Sequence, residues 1–316
     1  IDVRNYGMLD GIPEAKKLFS DMIGVSPAQV IIFGNSSLNA MYWAVQTAYN
    51  KGIRGCAPWS TLDEVKFLCP VPGYDRHFTI LEYFNIEMIN VPMTNDGPDM
   101  DMVEKLTGED DSIKGIWCVP KYSNPQGYSY SKDTVYRFAR LKPKAKDFRI
   151  FWDNAYGIHH LYEHDRAYIP EILAECKKAG NPDLVYKFAS TSKITFPGSG
   201  IASLATSPNN LEDILKQLSR QTIGHDKVNQ LRHVRFFGDI AGMEEHMKRH
   251  ADVIRPKFEA VLAAFDENLE GLNIGEWTKP MGGYFISFES MEGCAKQIVH
   301  LAKKAGVKMT DAGATW

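Results

Sequence analysis

Short apolar runs and amphipathic stretches alternate along this chain as far as about residue 206. The runs Gln29–Phe33, Gly115–Val119, Arg149–Trp152, Leu184–Ala189 and Ile201–Thr206 have the length and continuity of buried strands, and Ile86–Val91 alternates as a strand does. Between them, helical periodicity covers residues 13–24, Leu38–Tyr49, Asp99–Leu106, Ser131–Leu141 and Ile169–Ala179. Pro13 stands at the first turn of the first helix and Gly24 at its end. Pro70–His77 reads as a turn-rich loop. This spacing predicts βαβ units, and so an α/β fold with a mainly parallel sheet covered on both faces. Right-handed crossovers then line the strand carboxyl ends along one edge.

From about Ser207 the alternation stops. Leu211–Arg220 and Met243–Leu269 read as helices, Glu276–Phe288 as a strand pair around Gly282-Gly283, Ala295–Ala305 as a helix and Val307–Met309 as a strand. The expected division is a large domain over residues 1–240 and a smaller α+β domain over 241–316, which ends as a truncated domain would. No internal repeat or low-complexity segment interrupts either part.

Composition narrows the class. Of the 316 residues 44% are hydrophobic and 24% charged, and the formal net charge is -3, which gives no reason to expect nucleic acid or an acidic membrane as partner. No apolar run reaches membrane-helix length and no secretory signal opens the sequence, so a cytoplasmic home is expected. The five cysteines are odd in number and without a Cys-x-x-Cys pair, which argues against a disulfide framework or a zinc site. His159, His160 and His164 read as solvated loop histidines.

The chemistry collects at the predicted strand ends. Lys193 lies among hydroxyls and glycines in Ser190-Thr191-Ser192-Lys193-Ile194-Thr195-Phe196-Pro197-Gly198-Ser199-Gly200, just past a buried strand. An amine at the crevice edge of an α/β sheet can form a Schiff base when its surroundings favour the neutral form. Two earlier strands deliver Asn124, in Asn124-Pro125-Gln126-Gly127, and Asp153 with Tyr156, in Asp153-Asn154-Ala155-Tyr156, to the same edge. Gly34-Asn35-Ser36-Ser37 separates a strand from a helix start, the geometry that offers backbone N–H groups to an anion; an ordinary helix cap has the same sequence. A Schiff-base lysine, a buried carboxylate and a phosphate cradle are the parts a pyridoxal phosphate site requires.

These motifs, in this order, resemble the fold-type I pyridoxal phosphate enzymes, most closely the class I aminotransferases and their aspartate aminotransferase-like or MocR-like subgroup. The resemblance runs from Tyr6 to about Phe288. It implies the three-layer PLP-dependent transferase fold and pyridoxal 5'-phosphate as cofactor. Lys193 would carry the aldimine and Asp153 would pair with the pyridine nitrogen. Asn124 and Tyr156 would reach the phenolic oxygen. Asn35, Ser36, Ser37 and Ser190 would hold the phosphate, and Tyr74 would stack on the ring. Tyr6 would reach the phosphate of the neighbouring subunit, which implies a homodimer. The implied activity is ping-pong transfer between an amino acid, with aspartate preferred, and a 2-oxo acid.

Two features depart from the family pattern. The arginine that neutralises the phosphate would fall near Ile201, and none is there. The family's arginine for the substrate α-carboxylate would lie beyond Trp316; Arg4, near Tyr6, is a second candidate for a substrate carboxylate. The rival readings are the ligand-sensing domain of a MocR-type regulator, another pyridoxal phosphate reaction such as elimination or decarboxylation, and a Ser–Lys hydrolase. The hydrolase reading lacks the Lys-Thr-Gly element that such enzymes carry.

Overall fold

The computed structural model describes residues 2–313 and 315; Ile1, Ala314 and Trp316, the two chain ends included, lie outside the described residues. Eight strands form one sheet: β1 (Val30–Phe33), β2 (Lys66–Val71), β3 (Glu87–Thr94), β4 (Gly97–Pro98), β5 (Ile113–Cys118), β6 (Arg149–Asp153), β7 (Val185–Ser190) and β8 (Ala202–Ala205). Their order is β1-β8-β7-β6-β5-β2-β3-β4. The pairs β3/β2, β2/β5, β5/β6 and β6/β7 are parallel. β8 runs antiparallel between β7 and β1, and the short β4 antiparallel to β3. A mainly parallel sheet is therefore what forms.

Helices α1 (Pro13–Ile23), α2 (Ser37–Lys51), α3 (Asp75–Tyr83), α4 (Met100–Glu109), α5 (Lys132–Ala139), α6 (Ile172–Lys178), α7 (Pro208–Leu218), α8 (Lys227–Phe237), α9 (Ile240–Leu269) and α10 (Ala295–Lys304) complete the chain, with a two-stranded sheet of β9 (Gly275–Trp277) and β10 (Phe288–Ser290). Helices α1, α4, α5 and α6 bury Phe19, Val103, Phe138 and Ile172 against one sheet face. Helices α2, α3 and α7 bury Met41, Leu81 and Leu218 against the other. Sheet between two helix layers is the three-layer architecture that the resemblance implies. Both faces are covered, so β5, β6 and β7 are buried at every position and are mainly apolar rather than alternating, with Lys114, Arg149 and Lys187 buried among them. Among the described residues no helix is long and apolar enough to cross a membrane.

The local signals act as expected at α1, whose C-cap Gly24 sits at φ 74°, a left-handed conformation that costs glycine least. Two expectations are corrected, and one helix absent from the sequence reading is added. Pro70–His77 is not one loop: β2 runs through Val71, and α3 opens at Asp75. Lys227–Phe237 forms α8 on the strength of its Asp226 cap, which accepts from the Asn229 amide. Val307–Met309, read as a strand, joins no strand ladder among the described residues.

Behind the sheet edge lies an aromatic layer of Trp59, Phe67, Trp117, Phe151 and Phe188. Gly115 of β5 makes it fit: a Cβ there would stand 2.2 Å from the Phe67 ring. Gly115→Ala forces that ring aside and should destabilise the fold by about 1–3 kcal/mol, read as a lowered thermal unfolding midpoint; an unchanged midpoint would mean that the ring has room to move.

Candidate active site

The carboxyl ends of the parallel strands meet along one edge, and each contributes a turn. β1 is followed by Gly34–Ser37, β2 by Pro72–Tyr74, β5 by the segment to Asn124, β6 ends on Asp153 itself and β7 on Ser190. Ligands of open α/β sheets bind beyond the carboxyl ends of the strands, which is where these turns lie.

Asp153 is 3% exposed. Its Oδ2 accepts a hydrogen bond from His77 Nε2 at 3.2 Å, while its Oδ1 is buried with no partner. His77 is itself 1% exposed and stacks on Trp117 with ring centroids 4.4 Å apart and an interplanar angle of 14°. Thus α3 and β5 fix one carboxylate oxygen, and the other is left buried without a donor among the described residues. A buried acceptor without a donor costs roughly 1–3 kcal/mol. His77 was not among the residues read from the sequence; its signal was its place in the same turn as Tyr74, one helical turn further on.

Lys193 Nζ lies 4.9 Å from the centre of the Tyr156 ring, close enough for cation–π attraction. Burial pushes the Tyr156 hydroxyl well above its ordinary range, and the Asp153 carboxylate adds to that. Burial and Asp153 raise Tyr74 in the same way. Both phenols therefore stay protonated and can donate. Tyr74 caps α3 and meets His77 edge-on at 5.0 Å.

Around the start of α2, Ser36 Oγ accepts from the Asn39 amide at 3.3 Å, and Ser37 opens the helix. Ser190 Oγ donates to Ser192 Oγ at 3.1 Å, and Ser192 Oγ donates to the Asn35 carbonyl at 3.4 Å. The Asn35 side chain is already engaged: its Nδ2 donates to the Gly198 carbonyl at 3.0 Å and its Oδ1 accepts from Asn39. Asn35 thus ties the loops after β1 and β7 together. Gly200 lines the same space, where a Cβ would come within 2.8 Å of Thr191 Oγ1. Asn124 borders a cleft of about 870 Å³ that also meets Pro72, Lys257, Tyr284 and Phe285.

The structure thus gathers Asn35, Ser36, Ser37, Tyr74, Asn124, Asp153, Tyr156, Ser190 and Lys193 at one sheet edge. It does not bring Tyr6 there: that ring is 85% exposed on the amino-terminal segment. Arg4 pairs with Asp2 at 3.1 Å on the same exposed segment. The reading of His159 and His160 as solvated is overturned. His159 is buried behind Tyr156, and His160 accepts from or donates to the Tyr122 hydroxyl at 2.7 Å; only His164 is exposed. The signal missed was Gly282-Gly283, which lets a later segment close over this loop through a bridge from Gly282 to His160. All five cysteines are free.

A carboxylate, a phenol and an amine thus stand on the carboxyl edge of a three-layer sheet, beside a hydroxyl-rich helix start. An aspartate aminotransferase of Corynebacterium glutamicum is 43% identical over 316 residues, 100% of this chain and 73% of its own length. The solved structure of an aspartate transaminase from Corynebacterium glutamicum superposes with a TM-score of 0.96, covering 100% of this chain and 74% of that one. An α-aminoadipate aminotransferase from Thermus thermophilus, solved with N-(5'-phosphopyridoxyl)-L-leucine, shares the fold at 21% identity and a TM-score of 0.80, over 99% of this chain and 75% of that one. The family model for aspartate amino-transferase matches residues 1–316. The chain belongs to that family, and it is an enzyme that transfers amino groups.

Burial lowers both His159 and His160 from the ordinary 6.5 to about 3, with the Lys121 and Arg166 cations adding to the effect at His160. Folded, both stay neutral where the unfolded chain already takes up protons. The folded state then binds fewer protons, so stability is complete above the ordinary value and falls as pH drops from 6.5 towards 3. Thermal midpoints should decline over that window, and His160→Gln should flatten the decline; equal slopes for the two proteins would contradict the assignment.

Proposed function

We propose that this aminotransferase works with pyridoxal 5'-phosphate held by Lys193, and the observation that carries the reading is the unpartnered Oδ1 of Asp153. A protonated pyridine nitrogen is the donor that such an oxygen lacks. Bound there, the cofactor supplies an electron sink for the substrate's α-carbon and a temporary carrier for the amino group. The protein's own groups do the rest. Asp153, braced by His77, keeps a proton on the ring nitrogen. Asn124 and Tyr156 donate hydrogen bonds to the phenolic oxygen. Tyr74 provides an aromatic wall for the ring. Ser36, Ser37, Ser190 and the free amides at the start of α2 hold the phosphate, in a pocket whose shape depends on Asn35. These donors take over from the arginine that is missing near Ile201. The Lys193 amine would move the proton at the substrate's α-carbon.

The reaction is ping-pong: an amino acid leaves as a 2-oxo acid, and a second 2-oxo acid then takes the amino group. Aspartate with 2-oxoglutarate is the proposed pair, and the name of the Corynebacterium glutamicum relative supports aspartate as the amino donor. The protein is proposed to act in the cytoplasm as a homodimer, without nucleic acid or membrane. Support for the dimer comes from the exposed Tyr6. Lys227 Nζ ties down its segment by donating to the backbone carbonyls of Asp2 and Asn5, which holds an aromatic ring out in solvent. Residues 1–240 form the cofactor domain and 241–316 the smaller one, a division supported by the separate β9/β10 sheet.

The test is an absorbance spectrum of the protein with added pyridoxal phosphate, before and after borohydride, beside Lys193→Ala. The reading predicts a visible band that borohydride fixes covalently on Lys193, that the variant lacks, and that aspartate converts in the unreduced protein. A fixed adduct on another lysine, or no adduct in a folded protein, would overturn it.

A further inference from the structure

The turn that carries Lys193 is gripped from outside at three consecutive residues. The Lys193 carbonyl accepts two hydrogen bonds, from the Tyr284 hydroxyl at 2.9 Å and from His159 Nε2 at 3.3 Å. The Ile194 carbonyl accepts from His246 Nε2 at 2.8 Å. Thr195 Oγ1 meets His233 Nε2 at 3.0 Å, and the other nitrogen of His233 donates to the Asn229 carbonyl at 2.9 Å. Ile194, 2% exposed, packs among Leu18, Ile158, Phe237, Met243 and Met247. These holds come from separate elements: the loop after β6, helices α8 and α9, and the segment leading into β10. Inside the turn, the amides of Ile194 and Thr195 both donate to the Thr191 carbonyl, at 2.9 and 2.8 Å.

A lysine stem is flexible, so its own side chain fixes the amine poorly. Precision has to come from the peptide it hangs on. A carbonyl with both lone pairs engaged, next to one held by an imidazole, leaves that peptide little freedom to rotate. We infer that His246, His159 and Tyr284 are positioning residues for Lys193, setting where its amine stands by fixing the carbonyls of Lys193 and Ile194. This rests on the reading of Lys193 as the reactive amine. It adds that the lysine turn is tied to α9 and to the 278–288 segment, so the smaller part of the chain helps to aim the amine.

Three variants test it: His246→Leu and Tyr284→Phe remove one donor each, and His246→Gln keeps a donor at similar reach. Amide exchange is followed by mass spectrometry on the protein without cofactor, in the peptide spanning Ser190–Gly198. The expected result is faster exchange in that peptide alone for His246→Leu and Tyr284→Phe, and protection restored in His246→Gln. With pyridoxal phosphate added, the same two variants should lose about tenfold to a hundredfold in kcat, with KM for the amino donor little changed and His246→Gln again close to the parent. Unchanged exchange and kcat, or exchange that rises across the whole chain with a lowered melting point, would overturn the inference by reducing these contacts to ordinary packing. Should the parent protein form no adduct on Lys193, the reading of that lysine fails, while the exchange data still decide whether the turn is held from outside.

Discussion

A carboxylate buried with only half of its hydrogen bonding satisfied is costly, and much of the surrounding architecture makes sense as support for one. Asp153 ends the central strand β6, where parallel neighbours on both sides exclude water. His77 takes one oxygen, and His77 can do so only because it lies flat on Trp117 in the aromatic layer. That layer closes only because Gly115 leaves room for Phe67. The second oxygen remains buried without a donor. Hydrophobic packing thus fixes a polar group whose missing partner has to come from outside the chain.

The other functional groups follow from the same sheet. Parallel strands with right-handed crossovers put all their carboxyl ends on one side. Residues far apart in sequence, Asn35, Asn124, Asp153 and Lys193, therefore share one edge without any of them touching through a loop of its own. The antiparallel β8 closes the gap between β7 and β1, and it brings the Gly198–Gly200 loop against Asn35. The lysine turn differs from the rest in being held mainly by later parts of the chain. Its carbonyls are bonded from α9 and from Tyr284, so sheet and carboxyl-terminal region meet at Lys193.

What the sequence revealed and what it hid have physical reasons. The ends of β5, β6 and β7 were legible because strands buried on both faces read as mainly apolar runs, and the polar clusters just past them stand out. Asp153, Asn124 and Lys193 were found in that way. β2 was hidden because Pro70 and Pro72 imitate a loop, and with it went α3 and His77. Helix α8 escaped because its buried side includes Gln230 and His233, polar residues whose partners, the Ile12 amide and Thr195, lie far off in sequence. His159 was misread for the same reason: the segment that buries it is more than a hundred residues away in sequence, and a histidine's polarity says nothing of what closes over it.

The most direct measurement is nitrogen NMR of the protein bound to pyridoxal phosphate labelled at its ring nitrogen. If Asp153 supplies the acceptor that its free oxygen suggests, the ring nitrogen should carry a proton at neutral pH, with the chemical shift of a pyridinium. Asp153→Ala should return that shift to the neutral-pyridine position. A neutral nitrogen in the parent protein, or a pyridinium signal that survives loss of the carboxylate, would contradict the account.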